Sequence, residues 1–149
     1  MPNELEPSLY IRPMRLDDLD VLFNPFTRPH GAAWLEQQTQ GKALVAIAEW
    51  NGLPVARLCA NFVSHADAKA LYLFSAHVEG EYQSRGIGTA LFLHMEQVAR
   101  ERGFAYVQLE VNKTNPRAQK LYERLGYHVC GENVGRWSYM DGEREIEIV

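Results

Sequence analysis

The stretch QSRGIGTA, residues 83–90, places two glycines one residue apart where a strand-like segment gives way to a helix-like one. Glycine is unfavourable in a helix by about 1 kcal/mol relative to alanine, so Gly86 and Gly88 need another explanation. A strand that leads through Gly-x-Gly into a helix presents bare backbone N–H groups at the positive end of the helix dipole. The pattern predicts an anion site, with phosphate as the usual occupant, and a plain strand-to-helix turn is the alternative.

Two nucleotide-binding motifs do not match this turn. A dinucleotide fingerprint needs G-x-G-x-x-G, and the position of the third glycine holds Leu91. A Walker A loop needs G-x-x-x-x-G-K-[ST], which the sequence lacks. A nucleotide-binding domain of the Rossmann type is therefore disfavoured, and the antiparallel pattern of the first half of the chain argues against it as well.

Length and charge narrow the class of protein. The 149 residues predict a single domain, 1–149, with a loose N-terminal tail over about the first seven residues. The formal net charge of −4 argues against nucleic acid or an anionic membrane as the main partner. Neither a secretory signal nor a bilayer-spanning apolar run is visible, and the two cysteines lie outside any CxxC motif, so we expect a cytoplasmic protein without a metal site.

The first half of the chain predicts two helices and an antiparallel set of strands. Asp17 is a candidate helix cap, with Leu16 and Val21 placed as a hydrophobic staple. Pro25 and Pro29 are expected to break that helix before a second one begins. The dipeptide Asn51-Gly52 predicts a hairpin turn. The strands are expected at residues 8–14, 43–50, 54–63 and 70–78, and the second helix at 32–40.

The second half alternates helices with strands. Apolar residues at helical spacing follow Gly88 and stop before Gly103, and residues 106–111 alternate with period two. Asn115-Pro116 opens a helix that Gly126 closes, because asparagine is a good N-cap and proline suits the first helical turn. Strands at 127–130 and around the turn Asp141-Gly142 complete the order β-α-α-β-β-β-α-β-α-β-β. This order predicts an α+β fold, a mixed α/β sheet with helices on its faces.

Two motifs resemble those of the GCN5-related N-acetyltransferases, the GNAT family. Gln83, Gly86 and Gly88 match the pattern Q/R-x-x-G-x-G/A, which in that family binds the pyrophosphate of coenzyme A. The segment LEVNKTNPRAQKLYERLGY, residues 109–127, resembles the family's second motif. Gly80 departs from the pattern, since the family often has proline there. The resemblance covers nearly the whole chain and implies the acyl-CoA N-acyltransferase fold, with acetyl-CoA as co-substrate and no metal.

The resemblance assigns two groups of residues to the cofactor. The end of the strand before the turn binds the pantetheine arm in the family, and there the N–H of Val78 would hold the thioester oxygen. The turn itself would hold the pyrophosphate, and Asn115 would cap the next helix and face the cofactor arm. The residues expected to bind the cofactor are Ala76, His77, Val78, Gln83, Ser84, Arg85, Gly86, Ile87, Gly88, Thr89, Asn115 and Tyr122.

The resemblance also points to an acid and a base. Relatives carry the base on the L-E-V strand and the acid on the L-Y helix, which are the positions of Glu110 and Tyr122. Glu110 lies on the strand face opposite Val107 and Leu109, and a solvated glutamate is the plain alternative. His77 is a rival base. The implied reaction is acetyl transfer from acetyl-CoA to a primary amine of a small molecule or protein N-terminus, by direct attack within a ternary complex. A non-catalytic acyl-CoA-binding or sensor module on the same fold is the alternative.

The acceptor and the oligomeric state are less defined by the sequence. Family members build the acceptor pocket from the first two helices, their loop and the last hairpin, which are residues 25–34 and 133–143 here. Candidate walls are Phe26, His30, Trp34, Trp137 and Tyr139. Acidic residues that would attract a cationic amine, unless they serve as helix caps and rim charges, are Asp17, Asp18, Asp20, Glu36, Glu132 and Glu143. A strand at 143–149 is expected to pair across a homodimer.

Overall fold

The structure of the protein, a computed structural model, describes residues 8–133 and 136–140. The strands of the described part are β1 Leu9–Pro13, β2 Ala43–Trp50, β3 Leu53–Asn61, β4 Ala70–Val78, β5 Tyr106–Asn112, β6 His128–Asn133 and β7 Arg136–Met140. Its α-helices are α1 Arg28–Thr39, α2 Ile87–Glu101 and α3 Pro116–Arg124. This order confirms the predicted mixed α+β fold, except that the first predicted helix is a short 3-10 turn.

The chain divides into two compact units. The first unit comprises Met1–Ala60 and Ser75–Met95, and the second comprises Asn61–Phe74 and Glu96–Val149. Within the first unit β1 lies antiparallel to β2, in a register that runs from Leu9 opposite Trp50 to Pro13 opposite Ala46. The order continues through β3 to the last residues of β4. The predicted turn between β2 and β3 is confirmed, because Asn51 and Gly52 both have the positive φ, 52° and 84°, that a tight hairpin needs.

The first predicted helix is the clearest correction in this unit. Residues Leu16–Asp20 form a 3-10 turn, and Arg15 rather than Asp17 occupies the position before it. The predicted staple is wrong, because Leu16 and Val21 are exposed. Asp18 is instead buried, and its two carboxylate oxygens accept hydrogen bonds from Arg12 at 2.8 Å each. This ion pair fixes the turn against β1, so the segment is too constrained to continue as an α-helix.

Helix α1 begins earlier than the prolines suggested. It spans Arg28–Thr39 and therefore contains Pro29 in its first turn, where no intrahelical N–H bond is lost. The expected start of the second helix at residue 32 is therefore wrong, because Pro29 lies within the first turn of the helix instead of before it. Gly31 permits close packing of α1, since a Cβ there would lie 2.7 Å from Cε1 of Phe23 and 2.8 Å from Cδ2 of Leu19. Phe23 and Leu19 are buried, so α1 is held in place by a glycine contact rather than by an apolar stripe of its own.

The second unit contains a mixed sheet. Strand β5 pairs parallel with the first residues of β4, from Ala70 opposite Tyr106 to Leu73 opposite Leu109. It pairs antiparallel with β7, which in turn pairs antiparallel with β6. The strand order is therefore β4-β5-β7-β6. The parallel pair confirms the predicted strand-helix-strand crossover through α2.

Helix α3 has the predicted ends. The side-chain oxygen of Asn115 accepts a hydrogen bond from the backbone N–H of Ala118 at 3.2 Å, and Pro116 starts the helix. After the helix, Gly126 adopts a φ of 93°, which glycine tolerates and other residues avoid. The predicted turn at Asp141-Gly142 and the strand at 143–149, on which the dimer prediction rests, lie outside the described residues.

Candidate active site

The glycine turn joins β4 to α2 within the first unit. Strand β4 ends at Val78, and the chain then passes through a 3-10 turn, Gly80–Tyr82. Two residues with positive φ follow, Ser84 at 63° and Gly86 at 81°. The first bond of α2 runs from the N–H of Ala90 to the carbonyl oxygen of Gly86, at 3.0 Å. Gly86 is therefore needed for its backbone angle, which a side chain would strain.

The side chain of Gln83 stabilises the turn through a hydrogen bond. Its side-chain amide donates a hydrogen bond to the carbonyl oxygen of Val78 at 3.1 Å. The bond ties the entrance of the turn to the last residue of β4. The glutamine of the family motif thus has a structural role here, since it fixes the direction in which the loop leaves the strand.

In the first turn of α2, the side chain of Ile87 is buried, whereas the backbone at Gly88 is not crowded by neighbouring side chains. Ile87 is only 1% exposed, so its side chain belongs to the core and only its backbone can meet a ligand. A Cβ added to Gly88 would find a single neighbour within 4 Å, Cγ2 of Val78 at 4.0 Å. Gly88 is therefore not required by packing within the described structure. An α-helix leaves its first N–H groups without intrahelical acceptors, so this end can bind an anion.

Arg85 lies beside two aromatic rings. Its guanidinium carbon is 5.3 Å from the ring centre of Trp50 and 5.4 Å from that of Tyr82. The two ring centres are 6.4 Å apart. Cation–π contacts with these two rings restrict the arginine to one region at the edge of the turn while the side chain stays exposed. The predicted positive charge is thus present at the turn, beside two rings to which the resemblance assigned no role.

The end of β4 carries the predicted pantetheine-binding residues. Ala76 and His77 are exposed, and Val78 is half-buried. Ser75, just before them, has a φ of 53°, a left-handed conformation that is uncommon for serine and interrupts the regular strand. A ring nitrogen of His77 lies 3.3 Å from a carboxylate oxygen of Glu79. The rival base is therefore an exposed imidazole next to a carboxylate.

The predicted acid and base both lie in the second unit. Glu110 is half-buried on β5, while Val107, Leu109 and Val111 on the other face are buried, as the period-two pattern predicted. Tyr122 is half-buried on α3, with its ring 6.2 Å from that of Tyr127. Burial raises the pKa of the Tyr122 phenol. A phenol with a raised pKa remains protonated at neutral pH and can donate a proton.

The comparisons with known proteins agree on one family. Residues 12–127 match the sequence profile of the acetyltransferase (GNAT) family. The protein belongs to this family.

The similarity extends along most of the chain. The ribosomal protein bS18-alanine N-acetyltransferase of Escherichia coli is 24% identical over 139 residues, which cover 93% of this chain and 94% of that enzyme. An N-acetyltransferase from Staphylococcus aureus has a TM-score of 0.78 and 17% identity, covering 92% of this chain and 99% of that one. The PaiA N-acetyltransferase from Thermoplasma acidophilum, solved with coenzyme A, has a TM-score of 0.75 and 15% identity, over 91% and 99% of the two chains. These structural likenesses confirm the GNAT fold.

Family membership defines the class of chemistry. The protein is an acyltransferase that uses acetyl-CoA as its co-substrate. Within the described residues no three His, Cys, Asp or Glu side chains come together in a way that would hold a metal ion. None of the helices in the described part is both long and apolar enough to cross a membrane.

The predicted acceptor walls are only partly described. Phe26 is 88% exposed and His30 is also exposed, whereas Trp34 is half-buried and packs edge-on against Phe23, with ring centres 6.0 Å apart. The side chains of Trp137, Tyr139, Glu132 and Glu143 lie outside the described part. Among the acids, Asp18 is engaged by Arg12, and Asp20 forms an exposed ion pair with Arg28 at 2.6 Å. Asp18 is therefore a structural residue rather than an acceptor contact.

Sequence reasoning missed three residues of this GNAT fold. Trp50 and Tyr82 lie beside Arg85, and the resemblance assigned no role to either of them. Arg57 is half-buried on β3 with its guanidinium over Phe23 and Trp34. One signal was available for it, because Arg57 is the only charged residue in the nine residues of β3. A lone charge in an otherwise apolar strand needs a partner or a ligand.

Proposed function

We propose that this protein transfers the acetyl group of acetyl-CoA to a primary amine of a small molecule or a protein N-terminus, by direct attack within a ternary complex. The observation that carries the proposal is the turn between β4 and α2. It offers backbone N–H groups at a helix start, a glycine that packing does not require, and an arginine placed at its edge. These features suit the pyrophosphate of coenzyme A, with Gln83, Ser84, Arg85, Gly86, Ile87, Gly88 and Thr89 as its contacts.

The reaction that we propose is a balanced acyl transfer. An alkyl ammonium, with a pKa of roughly 10, must first lose a proton to become a nucleophile. The amine nitrogen then attacks the thioester carbonyl carbon, and the C–S bond breaks as the amide forms. The nitrogen releases a second proton, while the departing thiolate takes up one. We assign the carbonyl oxygen to the N–H of Val78 and the pantetheine arm to Ala76, His77 and Asn115.

Tyr122 is proposed as the acid that protonates the thiolate. Its phenol is half-buried on α3, and burial raises its pKa, so it is protonated when the thiolate leaves. Glu110 is proposed as the base, acting directly or through water, because it is the half-buried carboxylate on the polar face of β5. His77 is the alternative base, with a ring nitrogen 3.3 Å from a carboxylate oxygen of Glu79.

One relative points to a protein as the acceptor. The enzyme from Escherichia coli that is similar over 93% of this chain is named a ribosomal protein bS18-alanine N-acetyltransferase. At 24% identity this likeness favours a protein N-terminus as an acceptor to try first. Small amines belong in the same test, since the acceptor-side residues Phe26, His30 and Trp34 carry no motif.

A thiol-release assay with acetyl-CoA tests the proposal. The panel contains peptides with N-terminal alanine, amino acids, polyamines and aminoglycosides, and mass spectrometry identifies the acetylated product. At least one amine is expected to raise thiol release above the acceptor-free background. If acetyl-CoA binds while every amine leaves release at background, the catalytic proposal is wrong and an acyl-CoA-binding module takes its place.

A further inference from the structure

Within the described residues, Arg57 is a half-buried cation without a carboxylate partner in hydrogen-bonding or ion-pair contact. It lies on β3 between Ala56 and Leu58, which are both buried. Its guanidinium takes part in none of the ion pairs of the described part. Burial lowers the pKa of Arg57, and electrostatic interactions with Cys59 and Glu79 oppose this effect. The fold thus takes a positive charge partly out of water without neutralising it.

The neutral contacts of Arg57 leave much of its donor capacity unused. One terminal nitrogen, Nη1, donates to the carbonyl oxygen of Leu22 at 3.3 Å, and Nη2 donates to Oγ of Ser75 at 3.4 Å. Both distances are longer than a normal N–H···O bond. The Nε atom is buried and has no hydrogen-bond partner among the residues that the structure describes. A guanidinium has five N–H donors, so two long bonds satisfy a minority of them.

Aromatic packing explains the position of the side chain but not its charge. The guanidinium carbon lies 4.8 Å from the ring centre of Phe23 and 5.8 Å from that of Trp34. Cation–π contacts fix the plane of the guanidinium and leave its edges for hydrogen bonds. They recover only part of what desolvation of a cation costs, whereas an anion that binds along those edges restores the rest. The geometry is that of a prepared anion site.

We propose that Arg57 binds a carboxylate of the acceptor, so that the preferred substrates are amines that also carry an acidic group. This inference rests on the acetyl transfer proposed above and specifies its substrate class. Two features favour the acceptor over acetyl-CoA as the source of the anion. Trp34, which covers Arg57, belongs to the segment expected to line the acceptor pocket. The phosphates of coenzyme A have their own turn and their own arginine, Arg85. Arginine and carboxylate form paired hydrogen bonds of matching geometry.

Pairs of acceptor amines that differ only in an acidic group test the inference through their kcat/KM values. Glutamate α-amide is compared with glutamine α-amide, and a peptide amide that begins Ala-Asp with one that begins Ala-Asn, because each pair keeps the amine, lacks any other carboxylate and changes only the acid. With the wild-type protein, kcat/KM is expected to be about tenfold or more higher for the acidic member, in line with a charge-assisted hydrogen-bonded pair. Arg57→Met should abolish this preference, and Arg57→Lys should restore part of it.

A control variant and a measurement of coenzyme A affinity distinguish a role of Arg57 in acceptor binding from a role in cofactor binding. Arg102→Met removes another arginine that lies over a ring, 3.9 Å from the centre of Phe62, and should leave the preference unchanged. The Kd for coenzyme A should be the same in wild type and both Arg57 variants, which also shows that they fold. A rise in that Kd would assign Arg57 to the phosphates and overturn the inference.

Binding without turnover is followed by NMR. The Nε–H signal of Arg57, assigned by its loss in Arg57→Lys, should shift when glutamate α-amide is added and stay in place with glutamine α-amide. If no amine in either pair is acetylated but this shift occurs, the carboxylate site stands and the proposed catalysis fails. If amines are acetylated equally well with and without the acid, or if glutamate α-amide produces no shift, the inference is wrong.

Discussion

At the scale of single residues, the phenol of Tyr122 is the group whose proton chemistry the structure defines most directly. Burial raises its pKa above the ordinary tyrosine value of roughly 10, so the proton stays on the oxygen across the neutral range. A buried phenol of this kind is suited to donate a proton rather than to accept one. The acid proposed from the motif is therefore supported by a property that does not depend on the motif.

Tyr122→Phe is expected to lower kcat by about 100-fold or more, the range typical for loss of a general acid. The Kd for coenzyme A should stay within about twofold, because the ring remains in place. The wild-type kcat should not fall between pH 7 and pH 9 through this group, since a phenol with a pKa above roughly 10 stays mostly protonated over that range. Steady-state rates over this pH range and calorimetry for Kd provide the check. Unchanged turnover in the phenylalanine variant, with Tyr72→Phe as the matched control, would remove Tyr122 as the acid.

The position of Arg85 depends on Trp50 and Tyr82. An exposed arginine samples many rotamers, and two flanking rings reduce that freedom before a ligand arrives. Trp50→Leu should raise the Kd for coenzyme A about two- to fivefold, the equivalent of one exposed cation–π contact. Arg85→Gln should weaken binding further, and adding Trp50→Leu to it should have no additional effect.

A double-mutant cycle separates this role from general stability. Calorimetric Kd values for the two single variants and the double variant give the coupling between the residues. Additive effects would contradict a role for Trp50 through Arg85. Trp50→Tyr should restore most of the affinity, because a tyrosine ring also attracts a cation.

At the scale of the elements, the two glycines at the start of α2 are expected to have different roles, one in the fold and one in ligand binding. Gly86 has positive φ and is needed by the turn, whereas Gly88 has room for a methyl group. Gly88→Ala should therefore leave the free energy of unfolding unchanged or raise it by up to ~1 kcal/mol through helix propensity. The same methyl group should raise the Kd for coenzyme A about tenfold, because in the proposed pyrophosphate site it would lie where a phosphate approaches the backbone.

Chemical denaturation and calorimetry test the two effects of this variant separately. Gly86→Ala is the matched comparison, and it should lower the free energy of unfolding by about 1–2 kcal/mol, because alanine is strained at a φ of 81°. Gly88→Ala with unchanged affinity would mean that the phosphates do not approach this backbone.

Elements with local signals were predicted well, and elements set by distant contacts were not. The hairpin turn at Asn51-Gly52 and the capped start of α3 follow from backbone preferences of a few adjacent residues. The 3-10 turn at Leu16–Asp20 depends on an ion pair with Arg12, and the start of α1 depends on how Gly31 fits against Phe23. Such contacts join residues from separate elements, so a pattern read along the chain does not reveal them.

At the scale of the whole molecule, the residues of the candidate site fall into the same two groups, those with a local sequence signal and those defined by distant contacts. The motif located the turn, Glu110, Asn115 and Tyr122, because spacing along the chain is enough to recognise it. Trp50 and Arg57 escaped notice, since their contacts with Arg85 and Phe23 span more than thirty residues of sequence. Residues that adapt a shared fold to one acceptor are expected to depend on such distant contacts. The acceptor was therefore the least predictable part.

The stability of the molecule should depend on pH through Asp18. Burial alone would raise the pKa of this carboxyl, but hydrogen bonds and charge from Arg12 and Arg15 outweigh it and lower the pKa below its usual 3.8. As pH falls, the unfolded chain therefore binds this proton first. The stabilisation is present above about pH 4 and is lost as pH falls towards the lower folded-state pKa.

Asp18→Asn should lower the free energy of unfolding by about 1–3 kcal/mol at pH 7, because Arg12 loses one of its two carboxylate partners and keeps Glu49. The difference from wild type should shrink at pH 3, where part of the stabilisation is already lost in wild type. Urea unfolding followed by circular dichroism at both pH values measures it. Asp20→Asn is the matched control, since its pair with Arg28 is exposed and should contribute less than about 1 kcal/mol. A gap for Asp18→Asn that is equally large at pH 3 and pH 7 would show that the carboxylate stabilises the fold by packing rather than by charge.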